Sequence, residues 1–156
     1  MLRSVISVVG AAALAMAPMS ASYAGAVETP SVQEQVDAAL AAVPGGTQVD
    51  ANTVVWYGGQ MILDVEGPFS TQSVGSCATG NFCAYGGLNL TGTKLSFTTC
   101  GTFSTAAISL VRSIANARST NNVQARNSSA TVLATLAPGG FDNSAPTGIA
   151  SMRCVP

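Results

Sequence analysis

The fold of this chain is decided by residues 77–101, which read CATGNFCAYGGLNLTGTKLSFTTCG. Two runs in this stretch, FCAY at 82–85 and KLSF at 94–97, are rich in residues that favour strands. Glycine, asparagine and threonine separate the two runs and favour a turn between them. The stretch therefore predicts two antiparallel strands joined by a connection of eight residues.

The spacing of Tyr85 and Gly92 predicts the shape of that connection. Gly92 follows Tyr85 by seven residues, a glycine can adopt positive φ, and an aromatic ring can cover it. We expect a folded-over corner in which Tyr85 and Gly92 are structural. A plain strand-turn-strand needs no such spacing.

The chain has four cysteines, at Cys77, Cys83, Cys100 and Cys154. Their spacing is neither that of a zinc knuckle nor the C-x-x-C of a redox pair, so two disulfides are expected. Of the three possible connectivities we favour Cys77 with Cys83 and Cys100 with Cys154, because the first pair can close a local hairpin. On loop entropy these bonds stabilise by roughly 2 and 4 kcal/mol.

Further strand-like runs follow, separated by Gly, Asn, Ser and Thr. They are predicted over 113–115, 130–134 and 149–153, and one helical turn over 106–111 is an open alternative to loop. Short strands with such separators indicate an antiparallel sandwich.

The N-terminal residues 1–24 have the pattern of a secretory signal peptide. Arg3 supplies a positive charge, an apolar run over 5–17 follows, and Ser22-Tyr23-Ala24 places small residues around a cleavage site. The run is shorter than the ~20 residues that span a bilayer. We therefore predict an exported chain that starts at Gly25, with cleavage after Ala26 as the alternative, and that has no membrane partner once the signal is removed.

Residues 25–66 form an acidic extension. A capping box at Ser31 and Glu34 predicts a helix over 31–43, and two β-rich runs over 53–57 and 60–65, joined by Gly58-Gly59, predict a hairpin. Because an isolated hairpin is marginal in water, Trp56 and Ile62 are expected to pack onto the remaining domain. All Lys and Arg of the exported chain lie within 67–156, so we expect two structurally separate parts. We favour packing of the two by charge attraction over the alternative, an acidic arm that binds a partner.

Composition excludes several functions. The chain has no histidine, which removes Ser-His-Asp and Cys-His catalysis, and its net charge of −1 argues against nucleic acid as a partner. Asp64 and Glu66 form the one close carboxylate pair, and Lys94 is the one lysine that a Ser-Lys dyad could use. The carboxylate pair has no aromatic platform nearby that could form a sugar-binding cleft, and Lys94 is more simply a solvated lysine on a strand. We therefore expect a non-enzymatic protein without a cofactor.

Residues 77–101 resemble the opening Greek key of secreted bacterial proteins grouped with the Streptomyces metalloproteinase inhibitor, which have a βγ-crystallin-like fold. The shared pattern is C-x-x-G-x-x-C-x-Y, then an aromatic, here replaced by Leu90, then Gly92, and finally L-x-F-x-x-C-G. The runs 113–116 and 150–153 resemble the closing strands of the first and second motifs. The resemblance implies an all-β double Greek-key sandwich over 67–156, preceded by the helix and hairpin of 25–66.

The resemblance also implies proteinase inhibition by a rigid, disulfide-held loop. The candidate contact segments are 69–76 and 101–110, and the latter carries Phe103, Ile108 and Leu110. Our leading hypothesis is a secreted, monomeric peptidase inhibitor whose partner is an extracellular protease, for example a metalloprotease. An envelope-binding or structural module and a small antimicrobial protein are the alternatives.

The sequence also bears on calcium binding and on glycosylation. Crystallin-type calcium sites need carboxylates in the stretches 108–113 and 146–151, which contain none, so we expect no metal site; Asp142-Asn143 is more simply a turn.

Glycan-acceptor sequons occur at Asn89 and Asn127, both in predicted loops, and are expected to be accidental in a bacterial chain.

Overall fold

The structure, a computed structural model, describes residues 29–66 and 77–155. These residues form one α-helix, one 3-10 turn and eleven strands. The bounds are α1 Val32–Ala42, β1 Thr47–Asp50, β2 Thr53–Trp56, the 3-10 turn Tyr57–Gly59, β3 Met61–Asp64, β4 Phe82–Tyr85, β5 Lys94–Phe97, β6 Thr102–Ser104, β7 Ser113–Asn116, β8 Asn122–Arg126, β9 Val132–Leu136, β10 Phe141–Asp142 and β11 Ser151–Val155.

The strands form two antiparallel sheets that share one hydrophobic core. The first sheet has the order β1-β2-β3-β5-β4-β7-β10 and the second has the order β6-β11-β8-β9. Between them Phe97 stacks on Phe82, with ring centroids 4.8 Å apart, and on Phe103, at 5.2 Å. The predicted all-β class is confirmed.

Strands β4–β7 and β8–β11 repeat one connection pattern. The first, second and fourth strands of each quartet are neighbours, as β5-β4-β7 and as β9-β8-β11. The third strand of each quartet lies in the opposite sheet, so β6 pairs with β11 and β10 pairs with β7. Each quartet therefore contributes its third strand to the edge of the sheet that contains the other three strands of the opposite quartet.

The acidic extension is part of the first sheet rather than a separate unit. Strand β3 pairs with β5 in the register Met61↔Phe97 to Asp64↔Lys94. Helix α1 begins after Ser31, whose side chain and Glu34 form the predicted capping box. Trp56 is buried, as predicted, and its indole N–H donates to the Val43 carbonyl at 2.7 Å.

The predicted hairpin forms, but its register differs from the prediction. Four residues, Tyr57 to Gln60, connect β2 and β3 instead of two. Met61 and Leu63 enter the core and Ile62 is only half-buried, because side chains alternate between the faces of a strand and the inward set begins at Met61.

Several strand bounds also differ. The run predicted over 130–134 is β9, Val132–Leu136, and the run predicted over 149–153 is β11, Ser151–Val155. No helical turn forms over 106–111. Four strands were not predicted because they are short or polar, namely β1, β6, β8 and β10.

Both favoured disulfides are confirmed. Cys77 bonds to Cys83, with Cα atoms 5.8 Å apart, and Cys100 bonds to Cys154, at 5.1 Å. Within residues 29–66 and 77–155 no helix has the length and apolarity needed to cross a membrane. The predicted signal peptide over 1–24 lies outside the described residues.

Candidate functional site

The connection between β4 and β5, residues 86–93, is called the corner loop. Gly92 has φ +78°, which confirms the predicted positive φ. A Cβ on Gly92 would lie 3.0 Å from the Gly87 nitrogen, so the loop folds back on its own backbone there. Tyr85 packs in a small cluster on the sheet face with the Cys77–Cys83 disulfide and Leu90.

Two residues without the freedom of glycine hold left-handed backbone in the corner loop. Asn89 has φ +55° and Leu90 has φ +59°. Such conformations persist only where surrounding contacts hold them, and they concentrate at functional sites. The exposed apolar side chain beside them is Leu88, which is 46% exposed.

The buried hydroxyl of Ser113 holds this conformation in place. It accepts a hydrogen bond from the Leu90 N–H at 2.9 Å and donates one to the Gly87 carbonyl at 2.7 Å. The Asn89 N–H donates to the carbonyl of Asn143 at 2.9 Å. The corner loop is thus fastened to two neighbouring segments of the chain on both sides of Leu88.

The predicted contact residues on segment 101–110 are wrong in two cases out of three. Phe103 is 9% exposed and stacks on Phe97, and Ile108 is 7% exposed within the main core. Phe103 points inward because side chains alternate between exposed and buried positions along β6 and the residue after it. Ile108 lies in the loop that follows β6, where it and its neighbour Ala107 both pack into the main core. Leu110 alone of the three is exposed, at 42%. The other predicted segment, 69–76, lies outside the described residues.

Leu88 and Leu110 lie on loops at the same end of the first sheet. The loop of residues 105–112 leads into β7, which pairs with β4. The Arg112 N–H donates to the Tyr85 carbonyl at 2.8 Å, and the Ala145 N–H donates to the Arg112 carbonyl at 2.8 Å. The first bond joins the end of β4, where the corner loop begins, to the end of the loop that carries Leu110. The second bond joins that loop end to the segment between β10 and β11.

A groove of about 570 Å³ separates these loops from helix α1. One side is helical and carries Gln35, Ala38 and Ala42; the other side includes Gly86, Gly92 and Ile108. The Thr93 hydroxyl donates to the Gln35 side-chain oxygen at 3.1 Å and ties the helix to the corner loop. A groove of small residues accepts an apolar side chain or a narrow extended polymer.

Several charged side chains have structural partners, including Lys94, the lysine that a Ser-Lys dyad would use. The Lys94 ammonium lies 3.2 Å from the Asp64 carboxylate across β5 and β3. The backbone N–H of Ser31, followed by its hydroxyl, lowers the pKa of Glu34. Asp142 accepts the Ser144 N–H at 2.9 Å, which confirms it as a turn former. In the described parts of the chain no three His, Cys, Asp or Glu side chains converge as metal ligands would.

Tyr85 has an unusual environment for a phenol. Its side chain is fully buried, its hydroxyl has no hydrogen-bond partner among the described residues, and burial raises its pKa to about 12. At neutral pH the Tyr85 side chain is therefore uncharged, and it contributes to the fold by packing against its neighbours.

The two sequons differ in availability. Asn89 is exposed in the corner loop, whereas the Asn127 side-chain oxygen accepts the N–H groups of Ser129 and Thr131. Both lie in loops, as predicted.

No family model, no curated protein and no solved structure matches this chain. Its function is consequently inferred from the geometry of the corner loop and its surroundings.

Proposed function

We propose that this protein is an exported, non-enzymatic peptidase inhibitor that presents the corner loop to an extracellular protease, with Leu88 as the anchor and Leu110 beside it. The observation that carries the proposal is the fastening of residues 87–90 by the Ser113 hydroxyl around an exposed leucine. The resemblance of residues 77–101 to secreted inhibitors supports the same function.

A fastened loop suits inhibition because binding orders less of the chain. Each rotamer-rich side chain that is immobilised at an interface costs about 0.5–1.5 kcal/mol, and each backbone residue that must be fixed costs about 1–2 kcal/mol. The hydrogen bonds to Ser113 and Asn143 fix residues 87–90 before any partner arrives. Leu88 can then enter an apolar subsite with most of the ordering already complete.

The proposed scaffold is a double Greek key of the βγ-crystallin type. Its support is the exchange of β6 and β10 between sheets and the repeated order β5-β4-β7 and β9-β8-β11. The corner loop belongs to the first quartet, and the second quartet adds the edge strand β10 to the same sheet, next to β7. Such a scaffold resists deformation when a partner engages one loop.

A non-enzymatic, extracellular role is part of the proposal. Lys94 is engaged with Asp64 rather than with a serine, which argues against the Ser-Lys dyad. Two disulfides suit an oxidising compartment, and the signal-like pattern of residues 1–24 supports export.

The test is an inhibition panel with thermolysin-like, subtilisin-like and trypsin-like peptidases. We expect the disulfide-bonded protein to inhibit one class, and Leu88→Asp to lose that inhibition with an unchanged melting temperature, because the side chain contacts solvent. Val49→Asp is the matched control, since Val49 is 55% exposed on β1, away from the corner loop in sequence. Equal loss in both variants, or rapid cleavage of the wild type, would contradict the proposal.

The groove beside helix α1 favours a second candidate function, the binding of an envelope polymer. Ala38→Trp would fill the groove from an exposed helix position. If the protein binds cell-wall material and Ala38→Trp abolishes that binding while every peptidase stays active, this candidate replaces the inhibitor.

A further inference from the structure

Strand β9 is an open edge of the second sheet. It pairs with β8 on one side and ends the strand order β6-β11-β8-β9. Within the described residues, its backbone has one hydrogen-bond partner outside β8, the Asn116 side chain, which donates to the Leu136 carbonyl. An edge of this kind is a template for another strand.

The other three edges of the described sheets are less suited to pairing. Strand β10 has two residues and β6 has three, while β1 has four, with a register irregularity and a terminal carboxylate at Asp50. Strand β9 has five residues, Val132–Leu136, the most of any edge.

The sequence around β9 lacks the usual protection of an edge strand. No Lys, Arg, Asp or Glu occurs from Asn127 to Phe141, and proline first appears at Pro138, after the strand. Val132 is 42% exposed. One protective device is present, a register shift opposite Ala125 and Arg126 that places an extra residue, Leu133, near the start of β9. The remainder, Ala134–Leu136, continues in regular register with β8.

We propose that β9 pairs antiparallel with β9 of a second copy of this chain, which joins the two four-stranded sheets into one of eight strands. Across a two-fold axis residue i of one strand faces residue j of the other, and j faces i, so a charge on the strand would bring a like charge from the second copy into the same short strand pair, where the two would repel. An uncharged strand avoids that repulsion, whereas Asp50 would impose it on β1. This proposal is independent of the inhibitor function, because it uses no residue of the corner loop.

The dimer is expected to be reversible. Pairing of one short edge strand buries less than the ~1,000 Å² of a stable interface. The fraction of dimer should therefore rise with protein concentration, whereas the sequence alone leads us to expect a monomer.

Sedimentation equilibrium of the disulfide-bonded protein over a wide concentration range tests this. We expect the mean mass to rise from one chain toward two. Thr135→Glu, on an exposed β9 position, should keep the protein monomeric, while the control Thr102→Glu, on an exposed position of the opposite edge strand β6, should associate like the wild type. Each position faces a polar or basic neighbour across its strand pair, Gln124 for Thr135 and Arg153 for Thr102, so both variants should melt like the wild type.

Amide hydrogen exchange of the wild type provides a measurement that needs no variant. We expect slower exchange at 132–136 as concentration rises, with β1 and β6 unchanged. A wild type that remains monomeric throughout, protection confined to another strand, or equal association of Thr135→Glu and wild type would overturn the proposal.

Discussion

Removal of the Ser113 hydroxyl tests how strongly this buried group holds the corner loop, which the hydrogen bond from Asn89 to Asn143 also fastens. Ser113→Ala leaves the Leu90 N–H and the Gly87 carbonyl without their partner, and both bonds are partly buried. A buried polar group left unpaired costs about 1–3 kcal/mol, and partial access to water reduces this. We therefore expect the free energy of unfolding to fall by about 2 kcal/mol, a loss that a domain with about 5–15 kcal/mol of stability survives folded.

Inhibition should weaken more than this stability loss alone predicts. Without the Ser113 hydroxyl, the hydrogen bond that offsets the strained left-handed backbone of Leu90 is lost, and loosened residues of the segment 88–90 must be ordered on binding at about 1–2 kcal/mol each. If one to two residues loosen, the inhibition constant rises about tenfold to a hundredfold, since 1.4 kcal/mol corresponds to a factor of ten.

Urea unfolding followed by the fluorescence of Trp56, the one tryptophan, measures the stability change. Amide exchange at Leu90 measures the loop directly. The control is Ser104→Ala, since Ser104 is exposed and accepts one N–H, that of Ala106 at 3.1 Å; its effect should stay within about 0.5 kcal/mol. If Ser113→Ala unfolds at the wild-type urea concentration with unchanged exchange at Leu90, the Ser113 hydroxyl does not hold the loop.

Three further predictions follow from particular residues. The pKa of Tyr85 is about 12 in the folded protein and about 10 in the unfolded chain, so the free energy of unfolding should be unaffected below pH 10 and fall by up to about 3 kcal/mol as pH rises through 12. Tyr85→Phe should remove this alkaline loss of stability, whereas the control Tyr57→Phe, at an exposed site, should retain it. Urea unfolding at pH 7 and in the alkaline range measures the difference. Gly92→Val should lower the free energy of unfolding by more than the ~1–3 kcal/mol of backbone strain, because its side chain would also meet the loop backbone. The control Gly139→Val should cost the backbone strain alone, because Gly139 has φ +73° and no neighbour within 4 Å of a Cβ. Equal melting temperatures of the two variants would show that the close approach at Gly92 is unimportant. The intact mass of the exported protein should correspond to a chain that starts at Gly25, and a retained N-terminus would refute the predicted signal peptide.

Local chemistry made part of the fold predictable from sequence. Ser31 and Glu34 mark the start of α1 because a capping box satisfies backbone groups within one turn. The Cys77–Cys83 pair and strands β4 and β5 depend on residues close in sequence, so their pattern is visible there.

Tertiary packing decides the features that the sequence could not reveal. Phe103 looks like an exposed loop residue because β6 is three residues long, and its burial depends on pairing with β11, which is distant in sequence. Ile62 and Met61 are both apolar, and only the register with β5 selects Met61 for the core.

The candidate site was predictable only in part. The spacing of Tyr85 and Gly92 indicated a special loop and its positive φ. Nothing local marks Ser113 as the residue that fastens it, since the two bonds span 23 and 26 residues. Leu88 escaped notice for a related reason, because a leucine between strands is more often buried than exposed.

The most direct measurement of the central claim is an amide hydrogen-exchange footprint of the protein alone and in the presence of the peptidase that it inhibits. The account predicts slower exchange at residues 86–93 and 109–112 in an uncleaved chain, with little change in sheet strands such as β8 and β11. Unchanged exchange at the corner loop, protection at another surface, or cleavage of the chain within that loop without inhibition would contradict the account.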